Sequence, residues 1–256
     1  MAVTVLLAVG AWWVHATWRK PPIVVPPVRA AASSEHLPRV LVFTRTLGYR
    51  HRSIPAGVLA IQSLGAGRWA TEHTEDPEWF TVGRLAGVRA VVFLSTTGNV
   101  LRPDGQRALE DFVRGGGGWV GVHAAADTEY EWPWYGELVG AWFRNHTDVI
   151  EAVVKVEDVG SPGMSGLPTS WKRRDEWYAF QTNPRPKVHV TASLDDGAMG
   201  QASMGGDHPI AWWRLMDQGR AWYTGMGHTV ESFTEPEFLG HLQGGILWAA
   251  GLETRP

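Results

Sequence analysis

The run Gly115-Gly116-Gly117-Gly118-Trp119-Val120-Gly121-Val122-His123-Ala124-Ala125-Ala126-Asp127 decides how this chain is read. Four glycines stop the helix before them, residues 119–123 form a short apolar strand, and the small residues after it open a new helix. A strand that breaks sharply into a helix has the geometry of a nucleophile elbow, whose turn residue projects into a cleft. Here the turn residue is His123, and the sequence holds no cysteine. An imidazole in that place serves as general base, metal ligand or hydrogen-bond partner rather than as an acyl carrier. If a helical turn starts at the elbow, His123 and Asp127 share one face. That spacing suits a histidine oriented by its carboxylate, or two ligands of one metal. The plainer alternative is a structural histidine beside a helix-start carboxylate.

The same alternation flanks this run on both sides. Residues 39–44, 88–95 and 119–123 read as continuous apolar strands, and residues 53–64, 102–114 and 135–142 as helices. A polar segment occupies residues 69–76. Further strands are expected at 150–156, 188–193, 210–215 and 221–224, with a last helix over 236–250. Apolar strands alternating with helices predict an α/β fold with a mainly parallel sheet covered on both faces. Ligands then bind beyond the carboxyl ends of the strands, so the residues that follow each strand are the ones to weigh.

Composition narrows the chemistry. With 23 Lys+Arg against 26 Asp+Glu the net charge is −3, which argues against a nucleic-acid partner. The absence of cysteine excludes disulfides, thiolate metal sites and a Cys nucleophile. Fifteen tryptophans exceed what a core needs, and such large amphipathic rings are often used at binding surfaces.

His51 follows Tyr49 in the first loop after a strand, and Tyr49 joins it as a substrate-binding candidate. His146 is expected where the helix after the elbow ends, capping it or entering the cleft. His208 opens a strand ahead of Pro209, and His228 closes a Gly-rich turn. If these imidazoles converge, His123, His146 and His228 with a carboxylate suit a divalent metal such as zinc. No local metal-binding motif is present, so that reading rests on convergence alone. In Asp175-Glu176-Trp177-Tyr178 only one acid of an extended pair can face a cleft, and Glu176 is the choice for acid–base work. Trp132, Trp134, Tyr135 and Trp177 are the candidate sugar platforms, against the alternative that most such rings are core.

Residues 1–18 are almost wholly apolar, followed by Arg19, Lys20 and a Pro-rich stretch. Three readings stand: a membrane anchor, an export signal cut near Ala30 to Ala32, or a misassigned start codon. The expectation is an anchor or signal plus linker over residues 1–37, with the folded domain at 38–252. The protein is then exported or membrane-anchored, and cytoplasmic if the start is wrong.

The run from Gly115 to Tyr130 resembles the signature of the trehalose-utilisation (ThuA-like) family. The resemblance continues through Trp132-Pro133-Trp134-Tyr135, Asp175-Glu176-Trp177-Tyr178, His208-Pro209-Ile210-Ala211-Trp212 and Tyr223-Thr224-Gly225-Met226-Gly227-His228. It spans about residues 38–252. It implies a flavodoxin-like three-layer sandwich of the class I glutamine amidotransferase type, without glutaminase activity, since the elbow carries His123. It also implies sugar utilisation, including oxidised (3-keto) disaccharides. The expected partner is a small carbohydrate, and a homo-oligomer stays open. The expected reaction is a hydrolase, lyase or isomerase step, with His123 as base or ligand and Asp127 as its orienter. The rival is a non-catalytic sugar-binding or scaffolding module at the cell surface.

Overall fold

Strands β1 (Arg39–Phe43), β3 (Val88–Leu94) and β4 (Gly118–Val122) form from the continuous apolar runs and are buried almost throughout. They belong to a computed structural model that describes residues 37–253. The segment expected over residues 1–37 lies, but for its last residue, outside that range. Among the described residues, no helix is long and apolar enough to cross a membrane. Between the strands run α1 (Ile54–Leu64), the short α2 (Val82–Leu85) and α3 (Pro103–Arg114). α3 buries Ala108, Leu109, Phe112 and Val113, a stripe at helical spacing. The polar stretch at 69–76 also contains a strand, β2 (Ala70–Thr74). It sits at the sheet edge, where a half-exposed strand needs ladder bonds but little apolar sequence.

The second half departs from the expected pattern. The helix after the elbow, α4 (Pro133–Val139), ends early at Gly140. β5 then begins at Phe143 and runs to Val156, so His146 lies in a strand and not at a helix end. Residues 143–148 alternate half-buried and exposed, a period-2 pattern that their polarity hides. β6 (Ser170–Phe180), β7 (His189–Leu194), β8 (His208–Met216) and β9 (Gly219–Thr224) follow, and α5 (Pro236–Ala250) closes the chain.

All nine strands join one sheet in the order β2-β1-β3-β4-β9-β8-β7-β5-β6. The sheet is mixed. From β2 to β9 every pairing is parallel, whereas from β9 to β6 every pairing is antiparallel. Helical crossovers join the parallel strands. After α4 no α-helix intervenes until α5, and without a helical crossover the strands β5 to β9 pair antiparallel. The link between β8 and β9 is two residues, with Asp217 at φ 52. α5 contacts α1, β3, β4 and β9, while α3 and α4 also rest against β9. The approach of α5 explains one glycine of the opening run: a Cβ on Gly118 would lie 2.2 Å from the Ala249 carbonyl oxygen.

Most of the tryptophan surplus is core. Trp119, Trp177, Trp212 and Trp222 are fully buried. A ring of that size removes ~150–250 Å² from water, worth about 4–6 kcal/mol gross at ~25 cal/mol per Å².

Candidate functional site

The elbow forms, but in a tighter geometry than an α-helix. His123 leaves β4 at φ 51 and opens a 3₁₀ turn, His123–Asp127. A non-glycine residue held at positive φ is a strained position of the kind found at functional sites. Tyr223 Oη–H donates to the His123 carbonyl at 2.8 Å and holds the turn from β9. In a 3₁₀ turn, with 3.0 residues per turn, positions four apart point about 120° away from one another. Asp127 therefore does not orient His123. Its Oδ1 accepts instead from the Tyr130 hydroxyl at 2.7 Å. The orienting partner is the Gly225 carbonyl, 2.9 Å from His123 Nδ1. A carbonyl only accepts, so Nδ1 carries the proton and Nε2 presents its lone pair.

That lone pair meets two other groups. His123 Nε2 lies 3.2 Å from His228 Nδ1 and 3.4 Å from Glu176 Oε2, and the latter two are 3.1 Å apart. His51 packs its ring edge-on against both histidines, with centroids 4.7 and 5.0 Å away. One ligand atom from each of His51, His123, Glu176 and His228 falls within 4.8 Å of all the others. Three of these side chains come from strand ends of the parallel half (β1, β4 and β9), and Glu176 comes from β6.

The donor set fits a zinc-class ion. Zinc–nitrogen and zinc–oxygen bonds of about 2.0–2.1 Å in tetrahedral geometry place ligand atoms about 3.3–3.4 Å apart. The three separations above match those edges. Among the described residues the buried His51 Nδ1 has no hydrogen-bond partner, and such an orphan calls for an explanation. The bond from His123 Nδ1–H to a backbone carbonyl is the support that metal-ligating histidines usually have.

Electrostatics favour a neutral His51 beside an ionised Glu176. Burial, reinforced by the nearby His123 and His228, pushes the His51 pKa down to about 2. Burial alone would raise Glu176, but the adjacent His123 and His228 rings outweigh that and hold it well below the usual carboxylate range. For His228 burial works against protonation, and the Glu176 carboxylate more than offsets it, raising the pKa. Burial raises Asp127, against the opposing pull of Tyr130 and His123.

A residue that the sequence reading assigned no role holds His228 in place. Asp175, fully buried, accepts from the backbone N–H of Gly227 at 2.7 Å and of His228 at 3.0 Å. It pairs at 2.7 Å with Arg173, which also reaches Glu235 and Ser232. Gly227 sits at φ 111, which only glycine adopts readily, and its carbonyl accepts from Ser53 Oγ–H at the foot of the His51 loop. Alternation along an extended strand set Asp175 aside in favour of Glu176, yet both acids serve the same cluster, Asp175 through the backbone of Gly227 and His228.

The remaining candidates divide. His146, half-exposed, places Nδ1 3.1 Å from Glu176 Oε1 and 2.8 Å from the Thr147 carbonyl, so it stands beside the cluster and not in the metal set. Tyr49 is exposed, its ring 4.8 Å from His51. His208 does not join: both nitrogens are engaged, with Asp196 and the Tyr178 carbonyl, each at 2.8 Å. Trp177 and Tyr135 are core, bonded to the carbonyls of Ile150 and Ala125. Trp132 and Trp134 stack on each other 4.9 Å apart, and Trp134 lies 6.0 Å from Arg114 at the far end of α3. That places the pair toward the amino ends of the strands, away from the imidazoles. The aromatic wall beside the cluster is instead Tyr178, 4.1 Å from His123, and Phe143, 4.3 Å from Tyr178. A cleft of about 300 Å³ lined by Trp171, Arg173, Ser232 and Glu235 opens behind Asp175 and holds none of the imidazoles.

Comparison with known proteins gives a consistent picture. A family model described as ThuA, trehalose utilisation, matches residues 39–249. A solved structure described as ThuA-like, from Bacteroides uniformis ATCC 8492, is 23% identical, with a TM-score of 0.71 over 86% of this chain and 95% of that one. A second, from Parabacteroides merdae ATCC 43184, is 18% identical, with a TM-score of 0.72 over 86% and 92%. A β-galactosidase from Bacillus circulans sp. alkalophilus is 12% identical, with a TM-score of 0.57 over 84% of this chain and 31% of that one. At these identities the solved structures show the fold alone. No curated protein matches in sequence.

Proposed function

This chain belongs to the trehalose-utilisation (ThuA) family, and from that membership we propose a metal-dependent enzyme acting on a carbohydrate, with an oxidised (3-keto) disaccharide as the substrate class. The observation that carries the reading is the cluster of His51, His123, His228 and Glu176, in which the ligand atoms of His123, His228 and Glu176 stand 3.1–3.4 Å apart and His51 lies within 4.8 Å. His51, His123 and His228 would hold the ion, with Glu176 Oε2 completing the set. A bound zinc-class ion supplies Lewis-acid polarisation of a substrate oxygen.

The residues themselves suit proton abstraction beside a ketone. A carbonyl at C3 of a pyranose acidifies the hydrogen on C2, and loss of that proton lets the bond from C1 to the glycosidic oxygen break. Glu176 Oε1 stands outside the cluster, on the side that His146 lines, and is the oxygen placed to accept the C2 proton. His146 touches that oxygen and is half-exposed, which gives the proton a route to water. The departing glycosidic oxygen takes a proton from solvent, so charge and atoms balance.

Metal analysis of the purified protein, followed by turnover of 3-keto disaccharides with and without chelator, tests this. The expected result is one zinc-class ion per chain, turnover that chelation stops, and none in His123→Ala. Equal turnover by the variant would overturn the assignment. Binding without consumption would instead assign a sugar-binding module.

A further inference from the structure

We propose that Asp127, Tyr130 and Gln181 form a subsite for the second, non-reacting ring of a disaccharide, beside the histidine cluster. The inference rests on the carbohydrate reading above and extends it to residues outside the reacting centre. Tyr130 is 38% exposed, and its ring is backed by Trp142 at 5.8 Å and 30°. Trp142 is itself fixed by its Nε1–H bond to the Thr128 carbonyl at 3.0 Å. The result is a firm aromatic face open to solvent, the kind of surface on which the C–H face of a sugar stacks.

Polar groups ring that face, with their free atoms outward. Tyr130 Oη–H donates to Asp127 Oδ1, which leaves the phenol oxygen able to accept. Asp127 makes no ion pair among the described residues, and its Oδ2 takes no hydrogen bond there. The Phe143 carbonyl lies 3.3 Å from Tyr130 Oη and accepts from Gln181 Nε2 at 3.2 Å, so one backbone oxygen places both side chains. Gln181 Oε1 is likewise without a protein partner among the described residues. The unmet groups are therefore mostly acceptors, one of them anionic. An anionic ligand would be repelled, whereas a neutral polyol supplies the hydroxyl donors that this edge lacks.

The position relative to the cluster fits one molecule across both. Asp127 stands four residues beyond His123 in a 3₁₀ turn, about 8 Å away at ~2.0 Å per residue. Tyr178 and Phe143 run outward from His123, with ring contacts of 4.1 and 4.3 Å, and the Phe143 carbonyl lies 3.3 Å from Tyr130 Oη. That span is the scale of two linked pyranose rings. Among the described residues none of the three is hydrogen-bonded to the four cluster side chains, so sugar affinity can be read beside zinc content in each variant.

Calorimetric titration of the zinc-loaded protein with trehalose and with glucose tests the subsite, using wild type, Asp127→Asn, Tyr130→Ala and Gln181→Ala. The expected result is trehalose bound more tightly than glucose, with the trehalose affinity weakened about tenfold or more in Asp127→Asn and Tyr130→Ala. Glucose affinity and zinc content stay at wild-type values. Gln181 is exposed, so Gln181→Ala gives a smaller loss in a variant whose folding is not in question. Unchanged trehalose affinity in all three variants overturns the subsite and leaves the carbohydrate reading intact. If wild type binds zinc but neither sugar, the subsite fails, and the carbohydrate reading falls with it only if 3-keto disaccharides are not turned over either.

Discussion

At the scale of single residues, the buried histidines do different work according to what each nitrogen meets. His123 spends one nitrogen on Gly225 and offers the other, His208 spends both, and His241 has one nitrogen on the Gly163 carbonyl and Nε2 on nothing. Burial pushes the His241 pKa down to about 3. The folded ring stays neutral while the unfolded chain takes up a proton below about 6.5, so the unfolded state binds more protons in that window. Stability is full above pH 6.5 and falls as the pH drops toward 3. Denaturant unfolding at pH 4.5 should show about 2–3 kcal/mol less stability from this ring alone. His241→Gln, which keeps a donor for Gly163 and does not titrate, should flatten that part of the curve, and an unchanged slope would refute the assignment. None of these differences among histidines is legible from residue type. What the sequence did mark was position: His51, His123 and His228 all follow strands.

At the scale of elements, the β6 strand and the turn after β9 act together. Asp175 reaches across from β6 to bind the N–H groups of Gly227 and His228, so the imidazole of His228 is aimed by a strand to which it is not joined in sequence. Replacing Asp175 with Asn substitutes an NH₂ for one acceptor oxygen and weakens a fully buried pair with Arg173. Zinc affinity should fall by about 10–100-fold, the usual loss when support behind a metal ligand is removed. Thermal unfolding should shift as well, by up to about 3–5 kcal/mol, with Glu235 still holding Arg173. Wild-type zinc affinity in the variant would show that Asp175 serves folding alone. The tight turn after β4 belongs to this scale too. Residues 123–127 carry helix-forming alanines, and sequence periodicity cannot separate a 3₁₀ turn from the start of an α-helix. The partner of His123 moved from Asp127 to Gly225 for that reason.

At the scale of the molecule, the site draws its side chains from both halves of the sheet. The parallel half delivers His51, His123 and His228 at its carboxyl ends, and the antiparallel β5–β6 pair brings Glu176, Tyr178 and His146 against them. A ligand that bridges the halves stabilises the whole fold by RT ln(1 + [L]/Kd), about 2.7 kcal/mol at a hundredfold excess over Kd. For a domain of this size that is about 5–10 °C in Tm. A thermal melt with zinc should show that rise in wild type and none in Glu176→Gln; a wild type that does not respond excludes the metal centre. The α/β class, most of the strands, the elbow histidine and the family are written in the sequence, because apolar periodicity and turn residues are local properties of the chain. The mixed pairing of the sheet, the fourth member of the cluster, the role of Asp175 and the aromatic wall that replaced Trp132 and Trp134 were decided only by the folded chain. Each depends on contacts between residues far apart in the sequence, and such contacts are set by how the strands pack, not by the pattern within any one of them.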